Sequence, residues 1–171
     1  MSRFPVLVTV AVVSATCLAV VYWPSTERIP GERMSAAQIL AQSNTEVVAK
    51  VTSRLSQRAG SSLSGWRRLP EACRPVYVVG AFIVACDKYS LADQAHTNAA
   101  FPDAPTFVDM ADALRAVGSV AVATVLDEAA KAPPDSLAEC ETRLRAAMAA
   151  AHPEDALRVY IRSHAVELAD P

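Results

Sequence analysis

The sequence predicts an all-α protein, a compact multi-helix domain behind a single N-terminal transmembrane helix. Three observations predict it. An uncharged run of bilayer length opens the chain, apolar residues then recur at three- and four-residue spacing behind helix-capping pairs, and no alternating strand pattern competes. A chain of 171 residues suffices for one domain with a sizeable core. With 52% hydrophobic and 20% charged residues, long disorder is excluded.

The first element is "PVLVTVAVVSATCLAVVYW", residues 5–23, which carries no charge. As a helix it rises about 28 Å, close to the thickness of a bilayer's hydrocarbon core. Tyr22 and Trp23 stand where an interfacial aromatic belt belongs, and Pro24 ends the run. Residues 1–24 are therefore expected to anchor the chain. A cleaved signal peptide is the rival reading, but Tyr-Trp-Pro is a poor small-residue cleavage site. Lipidation at Cys17 is a third, poorly matched by Thr16 and Ser14 before it. Arg3 favours an inside amino terminus, although Arg28 and Arg33 follow at the other end. The expected location is the inner (cytoplasmic) membrane, single-pass, with the domain outside the cytoplasm. Export after signal cleavage is the alternative.

Residues 25–34 read as a polar linker, and residues 35–171 as the helical domain. Ser35 with Gln38 predicts a capping box opening a helix to about Ala59, with Leu40, Val47, Val48, Val51 and Leu55 as its apolar stripe and Gly60 as its stop. "GSSLSG" (Gly60 to Gly65) reads as a flexible joint. Pro75 suits the first turn of "PVYVVGAFIVAC", which is apolar all round and so is expected to be the buried central helix. Twelve uncharged residues are too few for a second span. Ser90 with Asp93 and Thr106 with Asp109 predict two further helix starts, separated by the turn "FPDAPT". A helix, a break at Gly118 and another helix follow, up to a Pro-Pro stop. Ser136 with Glu139 predicts the next start, on a helix carrying Leu137, Cys140, Leu144 and Met148. The last helix is expected from about Pro153, with Leu157, Tyr160, Ile161, His164 and Leu168 on one face.

Net charge is −2, but it is unevenly spread. Residues 25–74 balance at +4, residues 87–141 at −7, and residues 142–171 are neutral. Such a total does not imply nucleic-acid binding by bulk electrostatics. Solvated faces that attract each other are the plain reading. A helix-turn-helix is excluded on charge, because the second helix after Gly118 would bring Asp127 and Glu128 towards phosphates with Lys131 as its single cation.

Catalytic constellations are sparse. Asp93 and His96 share a helix face and could both touch a metal, yet no second His/carboxylate motif completes a ligand set. His152 precedes Pro153 and reads as a helix-end residue, and His164 as a packing residue. Cys73, Cys86 and Cys140 lack C-x-x-C spacing, so they read as small helix residues. Cys73 and Cys86, thirteen residues apart on one helix, stand about 20 Å from each other and cannot pair. No cofactor or metal is expected, and no catalytic residue.

Four stretches together carry a resemblance: "LPEACRPVYVVGAF", "DQAHTN", "DALRAVGSVAVATVLDEA" and "YIRSHAVEL". They resemble the DNA-mimic protein family, small all-helical bacterial domains that are mostly uncharacterised. The match spans about residues 69–168, weakly over 133–156. Members of that family carry an Asn-Gly-Gly-Phe turn followed by Gln and Asn. Gln94 and Asn98 fall on the last two positions, while the turn reads Lys88 to Ala92 and lacks the glycines and the aromatic. The resemblance implies a structural junction in which Gln94 and Asn98 tie down backbone. It also implies a protein-binding role for spaced carboxylates, here Asp103, Asp109, Asp112, Asp127, Glu128 and Asp135. The expected function is thus a non-catalytic, membrane-tethered interaction domain, with a protein partner of basic character meeting an acidic face. A small-ligand-binding or sensor domain is the alternative, and an enzyme using the Asp93/His96 region a weaker one. A homodimer is one form the partnership could take, the membrane is met through residues 5–23, and no direct nucleic-acid contact is expected.

Overall fold

A computed structural model of the chain describes residues 33–44 and 46–169. The expected membrane segment, residues 5–23, lies outside them. The chain divides after Gly31, and the unit from Glu32 onwards is taken by itself. The described residues form nine α-helices and no strand, as the periodicity predicts. These are α1 (Ala36–Ala41), α2 (Glu46–Ala59), α3 (Cys73–Lys88), α4 (Leu91–Ala100), α5 (Phe107–Ala116), α6 (Val120–Ala129), α7 (Leu137–Ala151), α8 (Pro153–Ser163) and α9 (Ala165–Leu168). Among the described residues, no helix is long and apolar enough to cross a membrane.

Three helix starts form by the predicted chemistry. The hydroxyls of Ser35, Ser90 and Thr106 accept the amides of Gln38, Asp93 and Asp109, whose side chains accept the cap amides in return. Each box satisfies two of the amide donors that a helix end leaves orphaned. Gly60 and Gly118 end their helices with φ of +74° and +91°, a region that glycine enters without a Cβ penalty.

α3 is the central helix. It packs against α2, α5 and α8 and the 3₁₀ turn Gly65–Arg68, burying Val76, Val79 and Phe82 completely. α5 packs on α6 and α6 on α7, and α4 lies against α7.

Four expectations need correction. The single helix predicted from Ser35 to Ala59 is two helices, because the chain turns extended at Gln42 (ψ 147°). Arg162 on α8 holds the break by donating to Gln42 O at 3.1 Å and Asn44 Oδ1 at 2.8 Å. The break rephases the apolar stripe, so Ile39 is buried while Leu40 is half exposed. The "GSSLSG" joint ends in a packed anchor. Gly65 is buried against the Ala59 backbone, where a Cβ would collide, and Trp66 donates from Nε1 to Asp103 O at 3.2 Å. Ser136 makes no side-chain cap, since a 3₁₀ turn, Pro134–Ser136, feeds straight into α7 with Ser136 already helical. The last helix is interrupted at His164, whose ring stacks on Tyr160 at 4.0 Å.

Candidate functional site

The polar stretch from Cys86 to Phe101 forms one wall of a cleft of about 210 Å³. The end of α3 contributes Cys86 and Asp87, and Tyr89 follows as its C-cap. α4 contributes Leu91 and Gln94, and α7 contributes Glu141, Leu144, Arg145 and Met148 at one-turn spacing. The cleft exists because the capping box at Ser90 starts α4 immediately after α3 ends, and α7 covers the corner obliquely.

Glu141 ties the corner together. Its Oε2 accepts the Leu91 amide, an orphan donor at the α4 N-terminus, at 3.2 Å. Its Oε1 accepts Arg145 Nε at 3.1 Å and Nη2 at 2.7 Å. The Glu141 contact holds the Arg145 guanidinium above its ordinary pKa. Both charges of this pair are therefore engaged.

Gln94 is buried at 7% exposure, an unusual place for an amide. Its Nε2 donates to Tyr89 O across a long 3.5 Å, and its Oε1 has no partner while being shut off from solvent. Tyr89 O can only accept, so the amide nitrogen must face it and the oxygen is the orphan. An unpaired buried carbonyl costs roughly 1–3 kcal/mol, which calls for a reason.

Burial pushes the Cys86 thiol up to about 12, with a Gln94 hydrogen bond and Arg145 opposing and Asp87 and Glu141 reinforcing the rise. At neutral pH the thiol stays protonated and is a poor nucleophile. Cys73 and Cys140 are likewise buried, and none of the three is in a disulfide. Cys73 and Cys86 stand at opposite ends of α3, as their spacing predicts.

The other sequence-predicted residues fall elsewhere. His96 is exposed and outside the cleft, and Asp93 Oδ2 is occupied by the Ser90 amide and hydroxyl. Among the described residues no three potential ligands could share a metal ion. The Asn98 side chain is half-buried and makes no hydrogen bond among the described residues, so of the two expected junction ties Gln94 supplies one weak bond and Asn98 none.

The acidic set is partly gathered. Asp112 on α5 and Asp127 on α6 converge on Arg115, the first at 2.9 Å and the second in a still shorter contact. Glu128 pairs with Arg143 on α7, and Asp103 with Arg67 at 3.8 Å. Asp109 is spent on the Thr106 cap, at 2.8 Å from the amide. Asp135 is exposed and makes no ion pair among the described residues. The α5–α6 hairpin thus brings Asp112 and Asp127 to one place and compensates them with an arginine; Asp103 and Asp135 are on separate turns.

Sequence reasoning missed Asp87, Glu141 and Arg145. Glu141 and Arg145 were visible as an i,i+4 ion pair beside the Leu137-Cys140-Leu144-Met148 stripe, but their link to the α4 amide is tertiary. No protein-family model matches the chain, no curated protein matches it, and no solved structure matches it. The resemblance to the DNA-mimic family therefore rests on the quoted residues alone.

Proposed function

We propose that this is a non-catalytic binding domain that takes a small, partly apolar ligand in the α3–α4–α7 cleft, as a ligand-binding or sensor module. The observation that carries it is the buried, unpartnered Oε1 of Gln94 at a cleft whose apolar lining includes Leu91, Leu144 and Met148. Ligand sites combine such apolar walls with a few fixed polar groups. Drug-sized ligands occupy roughly 300–1,000 Å³, so a cleft of about 210 Å³ suits a smaller molecule. The protonated Cys86 thiol and the remote His96 argue for binding rather than reaction. Amide-resolved NMR of the isotope-labelled protein against a fragment set should show shifts concentrated at residues 86–94 and 141–148. Shifts scattered over other helices, or none, reject this reading.

A second reading keeps the acidic α5–α6 hairpin as a protein contact, favoured by the convergence of Asp112 and Asp127. A basic partner competes there with Arg115, so its binding falls as salt rises. A lysine-rich peptide should bind the protein at low ionic strength, and a variant with Asp112→Asn, Asp127→Asn and Asp135→Asn should bind it several-fold less. Asp109 is left intact because it caps α5. Affinity that ignores both salt and the substitutions rejects the acidic face.

The uncharged run at residues 5–23 supports a membrane tether with the domain outside the cytoplasm. Alkaline phosphatase fused after Arg33 and expressed in a bacterial host is expected to be active. An inactive fusion, with a cytoplasmic reporter active at the same junction, would reverse the orientation.

A further inference from the structure

The charges lining the cleft do not cancel. Asp87 stands at its mouth, exposed, with no ion pair among the described residues. Glu141 is balanced by Arg145, so the lining carries one uncompensated negative charge. The C-terminal end of the sixteen-residue helix α3 opens beside it, adding the partial negative charge of its last carbonyls. Lys88 offsets part of that charge, but it is exposed and is not part of the lining. The one buried side-chain nitrogen or oxygen of the lining without any hydrogen-bond partner is an acceptor, Gln94 Oε1.

We infer that the ligand is a small primary amine with an apolar body, its ammonium facing Asp87 and donating to the Gln94 carbonyl. This deepens the ligand-binding reading above and rests on it. An ammonium offers three donors and no acceptor, which suits a site with unfilled acceptors and one excess negative charge. A carboxylate would be left with the Arg145 donors that Glu141 does not use and would meet Asp87 and the α3 terminus with like charge. The apolar body packs against Leu91, Leu144 and Met148. Because Oε1 is sealed from solvent, a lining side chain must give way for a donor to reach it. Half-buried Met148, unbranched and with three rotatable bonds, is suited to do so.

Three probes of one shape separate the outcomes: 2-phenylethylamine, 2-phenylethanol and 3-phenylpropanoate, titrated into the full-length protein with NMR detection. The amine should bind about tenfold more tightly than the alcohol, as a charge-assisted hydrogen bond predicts, and the carboxylate least. Gln94→Leu should weaken the amine about tenfold, and Asp87→Asn about threefold, as suits an exposed charge. Asp155→Asn, at an exposed residue of α8, which does not line the cleft, should leave it unchanged. Gln94→Leu also removes the orphaned carbonyl, so its Tm should match or exceed that of the unaltered protein. Should that variant fail to fold, the exposed Asp87→Asn change still reads the ammonium contact. Equal binding of all three probes, or tighter binding of the carboxylate, overturns the amine inference while leaving the cleft reading intact. Amine affinity that ignores Asp87→Asn overturns it in the same way. No shift at residues 86–94 or 141–148 with any probe overturns both.

Discussion

Phe82→Ala is expected to remove roughly 3–5 kcal/mol of stability, about half of what a domain of this size holds. Phe82 is 1% exposed and is the bulkiest fully buried side chain among the described residues. It sits on α3, which has α2, α5 and α8 packed against it, so the cavity left by the ring opens between several helices. Interiors are close-packed and relax only in part, which is why such a cavity costs more than the transfer of the lost atoms. Urea denaturation followed by circular dichroism measures the change as a fall in midpoint at unchanged slope. Val166→Ala, at a residue 79% exposed on α9, is the matched control and should stay within about 0.5 kcal/mol. A loss below about 1.5 kcal/mol for Phe82→Ala would mean that α3 is not the centre of the fold.

Much of this fold was legible because its determinants are local. A capping box is a contact between residues three apart, so Ser35–Gln38, Ser90–Asp93 and Thr106–Asp109 could be read directly and all three form. The all-round apolar character of residues 75–86 likewise identified α3 before any partner was known. The break at residues 42–44 was half legible. Ser43 Oγ reaches Glu46 Oε2 at 3.0 Å, an S-x-x-E signal that the sequence displayed and that a continuous apolar stripe obscured. The other half is Arg162, more than a hundred residues away, and no local pattern contains it. His164 shows the same limit from the other side, since its spacing fits one helix while its backbone, at φ −111° and ψ 24°, leaves the helical region.

The cleft was legible only in part. The polar stretch around Gln94 stood out, and it does line the cleft. Sequence reasoning set the Asp93/His96 pair aside and named Gln94 only as a backbone tie, whereas burial makes Gln94 and Cys86 the residues that matter to the cleft. An orphaned carbonyl is a property of packing and has no sequence signature. The acidic stretch was legible as a charge count and no further, for a related reason. A charge balance counts residues, whereas the fold sets Arg115 between Asp112 and Asp127 and brings Arg143, from beyond the counted stretch, to Glu128.

Where α2 crosses α3, a substitution that ordinarily favours a helix should do harm. Gly80 lies inside α3, and an added Cβ would come 2.6 Å from Thr52 Cγ2 and 2.8 Å from its Oγ1. Thr52 is β-branched and stiff at χ1, so it cannot swing aside, and the two helices must separate instead. Overpacking of this kind costs about 1–3 kcal/mol, against which the better helix propensity of alanine returns about 1 kcal/mol. Gly80→Ala should therefore be net destabilising. Thr52→Ala removes both clashing atoms and leaves its own Cβ 3.3 Å from the new methyl group, a distance that a small shift relieves. It also deletes a buried hydroxyl with no hydrogen-bond partner. The double variant should then recover at least the stability of the unaltered protein, with a coupling energy of about 1–2 kcal/mol in the cycle. Additive effects of the two changes, measured by urea denaturation, would show that Gly80 is not the contact that sets how closely α2 and α3 approach.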